Sequence, residues 1–296
     1  MTSRIITKFG IFFLNVLSRF PFWLIYLISD VLYFIIYFVI RYRKKVIINN
    51  LKNAFPDKTD TDRHKIMKLF YRHFCDLMLE SVVVSGMKEK DFDERLDIQN
   101  VDIVDNYFNQ GKSLVALTMH YNNWEWGTRL SKFVQHKILA VYKPLHNAEF
   151  DKYMNDTRTV QGTEMIKNNQ ILRRIIKAEK KKEPVIVWLA GDQTPPVFHS
   201  SWYLFLNQEA MFYPGSATLS KQFNLPIVFQ WVEKTARGKY KSKVELLIDN
   251  PSEMSETDII KTYIRKMEEV IREKPEFYLW SHKRWKHKRP SDVPLQ

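Results

Sequence analysis

A histidine and a glutamate five residues apart are the residues in this chain whose types and spacing best support acid-base chemistry. They lie in LVALTMHYNNWEWG, residues 114–127, where His120 ends an apolar run and Glu125 stands between two tryptophans. A carboxylate that holds an imidazole fixes its tautomer and stabilises its positive charge, so the second ring nitrogen can accept a proton from a hydroxyl. The stretch contains no serine or cysteine, which favours direct attack by a deprotonated substrate hydroxyl over a covalent enzyme intermediate.

The five-residue spacing also limits the local structure. Five helical steps turn the chain by about 500°, so His120 and Glu125 cannot share one helix face and must straddle a junction between a loop and a helix. Asn122 or Asn123 is a suitable N-cap, and WEWGTRLSKF continues as a predicted helix. Glu125 could then fold back toward His120, but with Asn122 as N-cap it is also the N3 residue of a capping box. Catalysis and helix capping both remain open for Glu125.

The elements around this pair indicate an α/β fold. The apolar run SLVALTM follows Gly111 and is typical of a buried parallel strand, and similar runs recur at 137–144, 184–193 and 224–233 with helical stretches between them. This alternation predicts a mixed, mostly parallel central sheet flanked by helices, with KSKVELLIDN (241–250) as an edge strand. Catalytic groups in such sheets gather at the carboxyl ends of strands, where His120 is expected.

Two amphipathic helices are predicted outside the sheet, at 59–84 and 255–273. The first contains Cys75, which we expect to be a buried, small apolar residue. Because it is the only cysteine, a disulfide framework and a multi-cysteine zinc site are both excluded.

The N-terminus has the composition of a membrane anchor. PFWLIYLISDVLYFIIYFVI, residues 21–40, contains one charge, Asp30, and as a helix would measure about 30 Å, the thickness of a bilayer's hydrocarbon core. With the apolar run 9–17 it fits one tilted span, a helix lying in the interface, or a shallow helical hairpin. The basic RYRKK that follows favours a cytoplasmic location for everything after residue 41. We therefore predict an anchor at 1–45 and one catalytic domain at 46–296.

The charge balance indicates an anionic partner. Lys and Arg number 46 against 33 Asp and Glu, a net charge of +13. Nucleic acid, acidic lipid and an acidic carrier protein all qualify, but nucleic-acid binding would not explain the apolar N-terminus or the His-Glu pair. A non-catalytic membrane scaffold is the other class, and it predicts that His120→Ala has no effect. The basic, aromatic C-terminus predicts a headgroup-level belt or a dock for the carrier; its residues are Trp280, Lys283, Arg284, Trp285, Lys286, Lys288 and Arg289.

Several motifs together carry a resemblance to a known family. MHYNNWEW resembles the H-x4-[D/E] box of the glycerolipid and lipid A acyltransferases, with glutamate as in the late acyltransferases of lipid A biosynthesis. Matching pieces follow in order: NLKNAFP at 50–56, VYKPLHN at 141–147 with Arg158 and Gly162 beyond it, GDQTP at 191–195, and PEFYLWSHKRWKHKRP at 275–290. The last is similar to the family's C-terminal W-x-H-[RK]-R-W ending.

The resemblance implies a membrane enzyme on the cytoplasmic face of a Gram-negative inner membrane. It would move a fatty acyl chain from acyl carrier protein or coenzyme A to a hydroxyl of a lipid A precursor, without a cofactor or metal. His120 matches the family's general base and Glu125 its partner. The implied substrate-binding residues are Arg158, Asp192, Gln193 and Lys143. The runner-up is acylation of another membrane lipid, such as a lysophospholipid or an amino-acid-linked lipid, because the box is shared across the superfamily.

Three positions depart from the family pattern. Asn122 and Asn207 stand where glycine is expected, and Lys143 stands where arginine is frequent. These departures leave the chemistry in place but leave open the acyl length and the identity of the acceptor.

Overall fold

The computed structural model describes residues 2–159, 162–197 and 200–296. Helices make up the N-terminal part: α1 (Thr2–Leu17), α2 (Phe22–Phe34), a π-helical segment (Ile35–Ile40), α3 (Lys44–Ala54) and α4 (Asp60–Val83). Pro21 separates α1 from α2, as expected for a residue that fixes φ and starts a new helix. By length and composition, one helix among the described residues could cross a membrane, Phe22–Ile40.

The remaining elements alternate along the chain. In order they are α5 (Glu89–Asp93), β1 (Leu96–Gln99), α6 (Val101–Asn109), β2 (Leu114–Thr118), a 3₁₀ helix (Trp124–Lys132), β3 (Lys137–Tyr142), α7 (Ala148–Thr159), β4 (Glu164–Lys167), α8 (Ile171–Lys181), β5 (Val185–Ala190), β6 (Ser201–Phe205), β7 (Gln208–Phe212), α9 (Gly215–Phe223), β8 (Ile227–Ala236), β9 (Lys239–Ile248), a 3₁₀ turn (Pro251–Glu253), α10 (Glu256–Glu273) and a final 3₁₀ turn (Pro275–Phe277).

Seven strands form the central sheet in the order β1-β9-β8-β2-β5-β3-β4. Every neighbouring pair is parallel except β8 and β9, so the predicted mixed, mostly parallel sheet is confirmed. The prediction of an edge strand at 241–250 is wrong, because β9 lies between β8 and β1. The short strand β1, Leu-Asp-Ile-Gln, covers that edge, and four residues with two polar side chains gave too little apolar pattern to be recognised.

Helices bury both faces of the sheet, which explains why its central strands are apolar at nearly every position. On one face, Leu117 and Val187 join a cluster that includes residues of α4, α9 and α10. On the other face, Ala116 and Ile186 pack with residues of α6. Cys75 is fully buried in α4, as expected.

A two-residue turn connects β6 and β7, and it accounts for one departure from the family pattern. Leu206 and Asn207 have φ of 50° and 62°, the left-handed pair that a tight hairpin requires. Asparagine tolerates this conformation better than most side-chain-bearing residues, so it can stand where glycine is expected. The Asn207 amide also donates a hydrogen bond to the carbonyl of Ala54 at 3.1 Å, which a glycine could not do.

Candidate active site

His120 lies just beyond the carboxyl end of β2 and is held by Asp192. The imidazole Nδ1 lies 2.7 Å from Oδ1 of Asp192, and the His120 backbone N-H donates to the other carboxylate oxygen at 3.1 Å. Asp192 follows β5, the parallel neighbour of β2, in which Thr118 is aligned with Ala190. Each side chain is therefore two residues beyond an aligned pair, and the sheet itself brings them together.

The electrostatics of this pair favour an ionised carboxylate and a basic imidazole. Burial lowers the pKa of His120, but the Asp192 carboxylate, with a smaller contribution from Glu125, more than offsets this and raises the pKa above its usual value. Burial opposes ionisation of Asp192, yet the neighbouring His120 holds the pKa of the carboxyl below its usual value. Because Nδ1-H donates a hydrogen bond to the Asp192 carboxylate, the neutral ring carries its free lone pair on Nε2.

Glu125 is held by Arg158 in a two-point ion pair. Arg158 donates from Nε to Oε2 at 3.0 Å and from Nη2 to Oε1 at 2.6 Å, and the Trp124 indole N-H donates to Oε1 at 3.2 Å. The side chains of Arg158 and Glu125 are 24% and 14% exposed, so the ion pair is largely shielded from solvent. The ion pair fixes the Arg158 guanidinium in the wall of the same cavity that His120 lines.

The helix after His120 differs from the predicted capped α-helix. It is a 3₁₀ helix whose N-cap is Asn123, and the Asn123 side chain makes no capping hydrogen bond. Its amide donates instead to Oε2 of Glu80 on α4, at 2.7 Å. The capping-box alternative for Glu125, which requires Asn122 as N-cap, is therefore wrong: the backbone N-H of Asn122 donates to the carbonyl of Phe277, and the Glu125 carboxylate accepts from Arg158.

Asn122 has a φ of 55°, in the left-handed region. Glycine is the residue that adopts this conformation most readily, and asparagine is among the few others that do so at low cost. The second departure from the family pattern thus preserves the backbone turn that links His120 to the 3₁₀ helix.

These residues line a cavity of about 410 Å³. The sequence-predicted residues His120, Glu125, Arg158 and Gln193 are among its walls, while Asp192 lies behind His120. The rest of the lining is divided between apolar and polar side chains: Tyr42, Arg43, Phe74, Leu77, Met78, Ser81, Trp124, Leu279, Ser281 and His282. A cavity with a charged end and an apolar wall suits an amphiphilic ligand.

Lys143 lies elsewhere. It follows β3 and lines a neighbouring cavity of about 900 Å³ with residues of α8 and α9. The structure therefore brings five of the six sequence-predicted site residues together and separates the sixth. Among the described residues, no group of three His, Cys, Asp or Glu side chains could hold a metal ion.

The C-terminal motif forms one wall of the site. The backbone N-H of Leu279 donates to the carbonyl of His120 at 3.2 Å, and that of Asn122 donates to the carbonyl of Phe277 at 2.9 Å. The Asn50 amide donates to the carbonyl of Trp280 at 2.9 Å. The C-terminal motif thus contacts both the loop that carries His120 and the NLKNAFP motif, which lies more than 200 residues earlier in the chain.

His282 is a site residue that the sequence reasoning passed over. Its Nε2 accepts a hydrogen bond from the backbone N-H of Thr194 at 3.1 Å, which fixes the end of the GDQTP loop. Burial lowers the pKa of His282 to about 4, so the ring is neutral near pH 7. Its position inside the C-terminal motif at 275–290 is the feature of the sequence that could have indicated a role in the site.

Tyr263 of α10 is a second site residue that the sequence did not indicate, and unlike His282 it lies outside every recognised motif. Its hydroxyl donates to the carbonyl of Thr118 and accepts from the N-H of Gly191 at 3.1 Å, so it joins the ends of β2 and β5. A Cβ on Gly191 would lie 3.1 Å from the Tyr263 ring, which explains glycine before Asp192.

The prediction that the aromatic and basic C-terminal residues form a surface belt is wrong for two of them. Trp280 is fully buried, and its indole N-H donates to the carbonyl of Pro275 at 2.6 Å. Arg284 is 2% exposed, lies 4.4 Å from the centre of the Phe212 ring and donates to the carbonyl of Met211. Both side chains fix the C-terminal segment against the domain.

Comparisons with known proteins identify the family of the chain. Residues 1–287 match the family model of the bacterial lipid A biosynthesis acyltransferases. The chain is 25% identical over 248 residues to the lipid A biosynthesis palmitoleoyltransferase of Escherichia coli K12, covering 82% of this chain and 79% of that protein. It is 22% identical over 254 residues to the lipid A biosynthesis lauroyltransferase of the same organism, covering 85% and 81%. The chain is therefore an acyltransferase and belongs to the bacterial lipid A biosynthesis acyltransferase family.

Proposed function

We propose that this enzyme transfers a fatty acyl chain from an acyl thioester, carried by acyl carrier protein or coenzyme A, to a hydroxyl of a lipid A precursor. The observation that carries the proposal is His120, oriented by Asp192 at 2.7 Å and facing a cavity that combines an ion pair with apolar walls. Such a cavity provides a base for a hydroxyl and space for an acyl chain. The relatives' names indicate a lipid A acceptor.

In the proposed step, Nε2 of His120 removes the proton of the acceptor hydroxyl as its oxygen attacks the thioester carbonyl carbon. The tetrahedral intermediate then collapses, the carbon-sulfur bond breaks, and the departing thiolate takes the proton from the imidazolium. Asp192 stabilises the positive ring between these two transfers. The products are the ester and the free thiol, so no group remains on the enzyme.

The negative charge that develops on the carbonyl oxygen needs hydrogen-bond donors. The backbone N-H groups of Tyr121 and Asn122 are already bonded to the carbonyls of Met119 and Phe277. Arg158 lines the cavity, and its Nη1 has no hydrogen bond within the part of the chain that the structure describes. Arg158 is therefore assigned to an anionic group of the substrate or intermediate, and Glu125 is assigned to position it as well as to raise the basicity of His120.

The proposed place of action is the cytoplasmic face of the inner membrane. The apolar segment 1–45 would hold the enzyme there, and 46–296 would form the catalytic domain. A bilayer surface is where a phosphorylated glycolipid acceptor would be found, and the excess of basic residues suits that surface.

Mass spectrometry of lipid A from cells that lack the gene tests the assignment. Complementation with the wild-type gene is expected to restore one acyl chain, and His120→Ala is not. His64→Ala, which changes an exposed histidine at the start of α4, is the matched control and is expected to restore it. An unchanged number of acyl chains in the deletion strain would overturn the lipid A acceptor.

A further inference from the structure

The helix Phe22–Ile40 has two distinct faces. Its inward face carries Ile25, Ser29, Tyr33 and Ile36, each less than 9% exposed. Its outward face carries a stripe of large apolar side chains that are 49–69% exposed: Trp23, Leu27, Val31, Phe34 and Phe38. The spacing of both sets is helical, so one side of the helix is covered and the other lacks a cover among the described residues.

Polar contacts fasten the inward face to the domain. Ser29 donates to Asp76 at 2.8 Å, and the Tyr26 hydroxyl donates to Glu80 at 2.9 Å. Asp30 forms an ion pair with Arg237 at 2.7 Å. Asp76 and Glu80 belong to α4, and Arg237 lies in the turn between β8 and β9.

These contacts oppose an orientation in which the helix crosses a bilayer. The same part of α2 that would lie in the hydrocarbon is bonded to Asp76, Glu80 and Arg237, and Lys234 also pairs with Asp76 at 3.1 Å. Crossing would either break these bonds or draw α4 and the β8-β9 turn into the hydrocarbon. Ionised side chains are unfavourable in hydrocarbon, so a crossing orientation is strongly disfavoured.

The helix α1 extends the exposed apolar surface. Ile6, Phe9, Phe12 and Phe13 are 60–73% exposed. On its other side, Thr7 is bonded to Asn147, just before α7, at 2.8 Å. The outward side chains of α1 and of the helix Phe22–Ile40 will be called the apolar face.

Basic side chains stand at the ends of these helices. Arg19 is exposed between α1 and α2, and Arg41 and Lys45 are exposed after residue 40. An apolar face with basic residues at its margins is complementary to a leaflet that contains anionic lipid.

The position of the apolar face also relates it to the active site. Tyr42 and Arg43 follow directly after the helix and line the cavity that contains His120. Leu77 and Met78, on the helix to which the inward face is fastened, line the same cavity. If the apolar face contacts a leaflet, the cavity would thus lie beside that leaflet, at the depth of the lipid headgroups.

We propose that the apolar face lies in the plane of an anionic leaflet, so that this N-terminal segment rests in the membrane and does not cross it. The inference rests on the proposed membrane location but is independent of the proposed chemistry. A lipid acceptor can then pass sideways from the leaflet into the cavity, with its headgroup near Arg43 and Arg158.

Depth measurements on spin labels test the orientation. Because native Cys75 is fully buried, single cysteines can be added at Trp23, Leu27, Val31, Phe34 and Phe38 and labelled in the full-length protein. The protein is placed in vesicles of phosphatidylethanolamine and phosphatidylglycerol, and the depth of each label is taken from its collisions with oxygen and with a water-soluble nickel complex. Leu172→Cys, exposed on α8, is the control and is expected to stay in water.

The proposal expects the five labels to lie at nearly the same depth. A crossing helix would instead spread residues 23 and 38 over about 22 Å along the membrane normal, and that profile would overturn the proposal. Spin-spin broadening with little exposure to oxygen would show that a second copy covers the face, which also overturns it. His120→Ala carries the same expected depths, so a failure of the catalytic proposal is separable from a failure of this one.

Replacing basic marginal residues tests the choice of an anionic leaflet. Arg19→Gln and Lys45→Gln are each expected to weaken binding to vesicles with phosphatidylglycerol by about fivefold. Binding to uncharged phosphatidylcholine vesicles is expected to change little. Equal loss on both kinds of vesicle would contradict an electrostatic contribution from the leaflet.

Discussion

The His120 imidazole lies 2.7 Å from the Asp192 carboxylate, and this contact joins the ends of two adjacent parallel strands. Asp192→Asn is expected to reduce kcat/KM by about 10² to 10⁴, because an amide neither fixes the required tautomer nor stabilises the imidazolium. Because Asp192 raises the pKa of His120, its loss is also expected to move the acid limb of the pH profile to lower pH. Initial rates with an acyl thioester between pH 5 and 9 measure both effects.

Asp292→Asn, an exposed change near the C-terminus, is the matched control and is expected to keep the wild-type profile. An Asp192→Asn enzyme with an unchanged acid limb would show that the carboxylate does not set the basicity of His120. Because Asp192 is buried, its replacement could also unfold the protein. Both outcomes are therefore interpreted only if the melting temperature of Asp192→Asn is close to that of the wild type.

The ion pair of Glu125 and Arg158 is expected to act as a unit. Since the guanidinium is held at two points, Arg158→Lys loses the two-point geometry and is expected to lower kcat/KM by at least tenfold. Glu125→Ala and Arg158→Ala are each expected to cost more, and the double variant is expected to cost about as much as the worse single change. A double-mutant cycle on kcat/KM measures this coupling.

The pH profile of Glu125→Ala separates two roles for the glutamate. If Glu125 chiefly positions Arg158, kcat falls while the acid limb moves only slightly. If Glu125 is the main partner of His120, as the sequence predicts, the acid limb of Glu125→Ala moves to lower pH by as much as that of Asp192→Asn. Additive losses in the double variant would argue against the shared role assigned to the ion pair.

A pattern along the chain predicts the burial of a strand but not its contacts with other strands. The apolar runs at 113–119 and 184–193 predicted buried parallel strands correctly, because burial on both faces leaves no polar alternation. The contact of His120 with Asp192 could not be predicted, since it depends on the alignment of Thr118 with Ala190 across two strands. Spacing along the chain indicated Glu125 as the partner of His120. The register of β2 with β5, by contrast, brings Asp192 into contact with His120.

The helix after His120 was mispredicted for a related reason. Local sequence predicts a side-chain cap from Asn122 or Asn123, but the Asn123 side chain makes no capping hydrogen bond and its amide N-H donates to Glu80, 43 residues earlier in the chain. The same limitation applies to Arg284 and Trp280, whose types suggest a surface belt but whose partners lie within the domain. Long-range partners of polar side chains are decided by packing, and local composition does not contain that information.

Glu80 is expected to be one of the most sensitive residues for stability. It is fully buried and accepts hydrogen bonds from Tyr26, Asn123 and Tyr240. It therefore connects α2, the loop after His120 and β9. Glu80→Ala leaves three donors unsatisfied and is expected to lower the free energy of unfolding by about 2–4 kcal/mol. Thermal unfolding in detergent measures this loss.

Glu80→Gln keeps the size and one acceptor oxygen, so it is expected to cost less than Glu80→Ala. Glu269→Ala, which removes a largely exposed carboxylate on α10, is the comparison and is expected to change stability by less than about 1 kcal/mol. A Glu80→Ala protein as stable as wild type would show that the network contributes little to folding.

The neutral state of His282 predicts a specific sensitivity to acid. Because burial lowers its pKa to about 4, the folded protein resists protonation at pH values where the unfolded chain takes up a proton. The resulting stability is complete above the ordinary histidine pKa of about 6.5 and is lost as pH falls from there toward 4. His282→Gln keeps an acceptor for the N-H of Thr194 without titrating. Between pH 7 and 5 the wild type is expected to lose about 2 kcal/mol more than this variant in urea unfolding. Equal losses in the two proteins would show that His282 does not contribute to acid lability.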